Sequence, residues 1–231
     1  MNLFGLQIDP LRTMIQVEAG RIYNGSITLT NTEDRQVIIT VLLANQVLAN
    51  FQDNNHWLKL EQSRVTIESM QQAVLNYVVL APEGATGELR SRIAFSEVPS
   101  EQEKSMLAIN TKISVPFFAT VKGTEAYYFE VIDFKLTDTT NQGASVTLRN
   151  GGNVHVRPTG TCLIREMGQA EEVISAQLNK SLYPLFPDES KTFQISFDQP
   201  LLPGKYVAEI QLESATQACL SIHQVFEFEV I

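Results

Sequence analysis

The sequence contains few of the residues that build catalytic or metal sites. Of its 231 residues, 19% are charged, and there are two cysteines, three histidines and one tryptophan. The histidines, His56, His155 and His223, are scattered along the chain, whereas a metal site needs several ligands close together. We therefore expect no metal and no other cofactor.

Recognisable enzyme motifs are also missing. The chain has no glycine-rich phosphate loop, no His-Glu-x-x-His segment and no Gly-x-Ser-x-Gly segment. Cys162 follows His155 by seven residues, an odd spacing that puts the two on opposite faces of a regular strand and argues against a nucleophile pair. We expect a protein that is not an enzyme.

Basic residues and long apolar runs are scarce as well. Seventeen lysines and arginines face 26 acidic residues, for a net charge of −9, which argues against nucleic acid or an anionic membrane as the main partner. No apolar run approaches the roughly 18 residues that span a bilayer, so membrane insertion is not expected. The first residues, MNLFGLQIDP, lack the basic and apolar segments of a signal peptide. We interpret the chain as a mature form with an added Met1.

Short alternating runs, separated by turn-prone residues, fill the first half of the chain. Seven or eight strands in about 120 residues are typical of a β-sandwich. The predicted strands are 12–18, 25–31, 36–45, 56–61, 64–68, 73–80, 88–95 and 105–121.

The same pattern restarts after Lys122-Gly123-Thr124, with an asparagine again ending an early strand (Asn31 and Asn150). We therefore predict an all-β chain of two tandem immunoglobulin-like sandwiches, residues 1–122 and 123–231. The predicted strands of the second half are 127–136, 144–150, 153–165, 172–178, 191–197, 205–213 and 219–230.

The state of the two cysteines and the role of the aromatic residues near the domain boundary are further questions that the sequence raises. Cys162 and Cys219 both lie in strand-like runs, which fits either two buried thiols or a disulfide. Phe117-Phe118 and Tyr127-Tyr128 flank the domain boundary, and we predict that they pack the domain interface.

The segment 105–115 is the most informative part of the chain. Because side chains in a strand alternate between two faces, one face carries apolar residues and the other polar ones. A long strand of this kind at a sheet edge recruits other chains. The segment is either a strand that binds a partner or a strand that packs on its own core. The apolar face comprises Leu107, Ile109, Thr111, Ile113 and Val115.

The same region resembles the PapD-like periplasmic pilus chaperones. Phe95-Ser96-Glu97-Val98-Pro99 is similar to the segment that ends a late strand in that family, and a polar loop and an alternating strand follow it. Asp9-Pro10-Leu11-Arg12 resembles the N-terminal strand of the family, which carries a basic residue. We identify the chain on these residues as a divergent member.

The resemblance implies a periplasmic chaperone that caps pilus or surface-fibre subunits by donor-strand complementation, without ATP. Residues 105–115 would complete the sandwich of the subunit, donating Leu107, Ile109, Thr111 and Ile113. Arg12 and Lys112 would anchor the C-terminal carboxylate of the subunit. The family's usual lysine aligns with Ser114, and Lys112 lies two residues earlier on the same strand face.

The implied partners are a pilin-like or fibre subunit and an outer-membrane usher, and the edge strand also allows self-association. The alternative function is a tandem immunoglobulin-like surface or structural module that binds a protein partner without chaperone activity.

Overall fold

Alternation of apolar and polar residues produces strands in nearly all the predicted segments. The computed structural model describes residues 5–44, 57–99, 112–137, 142–179, 181–215 and 217–231. The chain divides into two units, Met1–Thr124 and Glu125–Ile231, and each consists of two β-sheets around its own apolar core. The predicted fold of two immunoglobulin-like sandwiches is confirmed. The described residues form no helix that is long and apolar enough to cross a membrane.

In the N-terminal unit, a four-stranded sheet, ordered β1-β3-β7-β5, faces a five-stranded sheet, ordered β2-β9-β8-β4-β6. All pairings are antiparallel except that of β2 with β9. The strands are β1 (Leu6–Asp9), β2 (Thr13–Val17), β3 (Ile22–Asn31), β4 (Val37–Ala44), β5 (Leu58–Leu60), β6 (Arg64–Ile67), β7 (Gln72–Leu80), β8 (Glu88–Glu97) and β9 (Lys112–Val121).

Three aromatic residues lie at the centre of the N-terminal core. The Phe117 ring makes edge contacts with Trp57 and Tyr77, at centroid distances of 5.9 Å and 4.9 Å. Gly25 pairs with Tyr77 across the sheet, and a Cβ atom at Gly25 would overlap the Tyr77 ring. The prediction that Phe117 packs at the domain boundary is wrong, because this side chain faces the centre of its own sandwich and is fully buried there.

In the C-terminal unit, a three-stranded sheet, ordered β10-β11-β14, faces a four-stranded sheet, ordered β13-β12-β15-β16, and all pairings are antiparallel. The strands are β10 (Phe129–Leu136), β11 (Gly143–Asn150), β12 (Pro158–Glu166), β13 (Glu172–Leu178), β14 (Ser190–Ser196), β15 (Gly204–Ser214) and β16 (Gln217–Val230).

The strand predicted from residue 153 begins at Pro158, because the residues after Asn150 form a turn held by the Asn150 side chain.

Cys162 is a free, buried thiol, and burial raises its pKa to about 12, so the thiol is protonated at neutral pH. The Cys219 side chain is not among those that the structure describes.

Asn31 and Asn150 give the two units the same internal brace. Each side-chain oxygen accepts a hydrogen bond from the backbone N–H two residues later, at 3.0 Å and 2.8 Å respectively. Each amide nitrogen donates to the carbonyl four residues later and to a carbonyl of a distant segment, Ile67 for Asn31 and Leu185 for Asn150. The brace fixes the turn that leaves the early strand, because it satisfies backbone groups that strand pairing leaves open.

We expect Asn31→Ala to lower the free energy of unfolding of the N-terminal unit by about 2–3 kcal/mol, since several buried hydrogen-bonding groups lose their partner. Trp57 is the single tryptophan and lies in this unit, so urea unfolding followed by its fluorescence measures the change. Asn24→Ala, at an exposed position of the same strand, is the control and should change stability by less than about 0.5 kcal/mol. Equal effects of the two substitutions would contradict the bracing role.

Candidate functional site

The N-terminal segment changes sheets close to its start, and this positions the candidate site. β1 pairs with β3 in the four-stranded sheet, whereas β2 pairs with β9 in the five-stranded sheet. Pro10–Arg12 form the bend between them. Because β2 begins only after this bend, it pairs with the second half of β9 alone, from Phe117 to Val121.

Among the described strands, the first half of β9 therefore has an open edge. On one side it pairs with β8, from Lys112 opposite Ser96 to Pro116 opposite Arg92. On its other side, no described strand pairs with residues 112–116. Proline lacks a backbone donor and is usually confined to edge positions within sheets, so Pro116 fits this location. The result is a row of main-chain groups that can accept another strand.

The two faces of this open edge have different characters. Val115 is buried in the N-terminal core, and Ile113 is half-buried against the same core. Lys112 and Ser114 are exposed on the opposite face, as the predicted alternation requires. Leu107, Ile109 and Thr111 lie outside the described residues. The sequence predicts, from the period of two, that they share the face of Ile113 and Val115.

Arg12 and Lys112, the predicted anchors, are both exposed on the N-terminal unit. Arg12 lies in the bend before β2. The sequence, in contrast, predicts it on a strand. The register of Thr13 with Phe117 places Arg12 beside Pro116. Lys112, the first residue of β9, lies four residues before Pro116, which corresponds to about 13 Å along the strand at 3.3 Å per residue. Within the described ranges, neither side chain forms an ion pair.

A further residue, Arg35, fixes the end of β8, where the chain leaves the sheet towards residue 100. Its guanidinium contacts Glu97 and Glu33, each at 2.7 Å. The backbone N–H of Val98 also donates to the Ile38 carbonyl at 2.8 Å. Glu97 belongs to the segment that carried the family resemblance, but nothing in the sequence pairs it with Arg35, 62 residues away.

The geometry described so far matches a known fold. No family model and no curated relative matches the sequence. Among solved structures, the class 5 fimbriae chaperone CfaA is similar at a TM-score of 0.56 and 11% identity, over 95% of this chain and 98% of that one. The CupB2 chaperone of Pseudomonas aeruginosa is similar at a TM-score of 0.52 and 11% identity, over 95% and 98% of the two chains.

A third similar structure comes from a chaperone–tip adhesin complex of CFA/I fimbriae biogenesis. Its TM-score is 0.55 at 11% identity, and the match covers 95% of this chain and 97% of that one. The predicted resemblance to pilus chaperones is thus confirmed for the fold, which extends over nearly the whole chain.

Proposed function

We propose that the protein is a periplasmic chaperone that caps subunits of a pilus or surface fibre by lending them a strand. The observation that carries this proposal is the open edge of β9 at Lys112–Pro116, which β2 leaves uncovered. An incoming subunit strand would pair with these main-chain groups, as in other cases of β-strand addition. The similarity to a structure from a chaperone–tip adhesin complex supports a fibre subunit as the partner.

Specificity would come from the face that already contributes to the core. Ile113 and Val115 pack on the N-terminal sandwich, and the residues before them would extend the same apolar row into the subunit. Leu107, Ile109 and Thr111 would fill its groove, with the exposed part of Ile113 completing the row. Lending these side chains would shield an apolar groove on the subunit from aggregation.

The two exposed cations would hold the C-terminal carboxylate of the subunit. A carboxylate accepts charge-assisted hydrogen bonds from arginine and lysine. Arg12 and Lys112 would each reach the carboxylate through a long, exposed side chain. An outer-membrane usher would receive the complex, and in the free protein the same edge is available for self-association.

Co-purification from the periplasm tests this function. The tagged chain is expressed with its neighbouring genes, and a small subunit should purify with it. Arg12→Ala and Lys112→Ala should each reduce the recovered subunit by about tenfold, the loss expected for one charge-assisted hydrogen bond. Arg64→Ala and Lys59→Ala, at exposed positions of the same unit, are matched controls. If the wild type recovers no subunit, the alternative surface or structural module is favoured.

A further inference from the structure

A second pair of sheet edges lies within the C-terminal unit. β10 ends the three-stranded sheet and β16 ends the four-stranded sheet, and among the described strands each pairs with one neighbour only. β16 has 14 residues, or about 46 Å at 3.3 Å per residue, whereas strands usually have about five or six. A long edge of this kind is a template for another strand.

Aromatic side chains line the opening between these two edges, which we call the aromatic seam (Phe134, Phe226 and Phe228). The Phe134 ring on β10 lies 5.8 Å from Phe226 and 5.3 Å from Phe228, both on β16. All three are only half-buried. Gln224, on the same strand face as Phe226, is exposed, so the sandwich is open to solvent here.

β10 also has an exposed apolar residue near its middle. The register of β10 with β11 shifts between Val131 and Asp133, and Ile132, the residue at this irregularity, is 47% exposed. A strand added beside β16 would meet the half-buried rings of the aromatic seam. Its side chains would enter the seam at every second position, so an occupant needs apolar residues at alternate positions.

Charge on the outer face of β16 restricts which residues an occupant can have between its apolar positions. Glu227 and Glu229 are exposed there. Lys205 faces Glu229 in the register, but Val207 faces Glu227. On the next strand, Glu209 is already paired with Arg165 and His223, each at 2.7 Å. A second copy of this chain, paired through the same part of β16, would bring carboxylates together, and like charges opposite one another destabilise a sheet.

We propose that the β16 edge over Gln224–Val230, with the aromatic seam, is a second strand-binding site for an extended segment of another protein. That segment has apolar side chains at alternate positions, which cover the seam, and basic side chains between them, which face Glu227 and Glu229. The site lies in the C-terminal unit and does not depend on the β9 edge or on chaperone activity.

A synthetic peptide tests the site on the full chain. The probe is an acetylated and amidated ten-residue peptide that alternates valine and lysine, and its control has the same composition in two blocks. The alternating peptide should bind more tightly, as measured by calorimetry, and should slow hydrogen exchange at the amides of Phe226–Val230. Glu227→Lys/Glu229→Lys should weaken binding by about tenfold or more, because two favourable cross-strand charge pairs become repulsive.

The matched variant Glu171→Lys/Glu172→Lys changes the charge equally at exposed positions before and at the start of β13, and should leave binding unchanged. Three results would overturn the proposal: equal binding of the block peptide, equal weakening by both variants, or exchange protection at Ile113–Val115 instead of β16. A dimer of the chain that protects the same β16 amides would overturn the choice of occupant.

Discussion

Replacing Leu107 and Ile109 together with aspartate should abolish subunit capture and leave the chain folded. The period of two in the sequence predicts that both residues share the face of Ile113 and Val115, which pack on the N-terminal core. Each aspartate would carry a charge into an apolar groove of the subunit. A buried polar group without a partner costs about 2–7 kcal/mol, so recovery of the subunit should fall by more than about 100-fold.

The matched control puts the same two charges on the opposite face of the strand. Ala108→Asp/Asn110→Asp should retain most of the capture, because the sequence alternation predicts that these positions share the face of Lys112 and Ser114, which are exposed. Circular dichroism and the melting temperature check that both double variants are folded. Capture by the Leu107/Ile109 variant at the wild-type level would show that this face does not enter the subunit.

Truncating Phe117 to alanine should have the largest effect on stability, lowering the free energy of unfolding of the N-terminal unit by about 3–5 kcal/mol. Phe117 is fully buried, and its ring contacts Trp57 and Tyr77. Removing a core phenylalanine forfeits its burial and leaves a cavity that the neighbours fill only in part. Urea unfolding monitored by Trp57 fluorescence measures the loss close to the substituted site.

Ser114→Ala is the control for this substitution. It lies three residues earlier on β9 and is exposed, so its effect should stay within about 0.5 kcal/mol. A loss below about 1 kcal/mol for Phe117→Ala would mean that the aromatic cluster does not hold this sandwich together.

Local alternation was enough to predict most of the fold. β13 occupies the predicted residues, 172–178, because its buried positions recur along a run bounded by polar residues. β1 was missed, since four residues carry too little alternation to identify a strand. Asp9–Arg12, interpreted as an N-terminal strand, mostly form a bend between two sheets. Which sheet a short segment joins depends on distant partners that a local pattern does not contain.

The sequence likewise predicts only part of the candidate site. The two faces of β9 follow from the period of two, so the different exposure of Ile113 and Lys112 could be predicted. The open edge could not, because it depends on where β2 begins to pair with Phe117. Arg35 was missed for a related reason, since its contact with Glu97 joins residues from distant parts of the sequence.

Hydrogen exchange at the open edge of β9 tests strand donation most directly. The chain alone and its co-purified complex with a subunit would be compared over residues 112–116, where Ile113, Ser114 and Val115 supply interior amides. Strand pairing predicts that exchange in this segment slows by at least about tenfold in the complex, because amides that faced solvent become hydrogen-bonded. A stable complex with unchanged exchange across residues 112–116 would contradict strand donation at this edge.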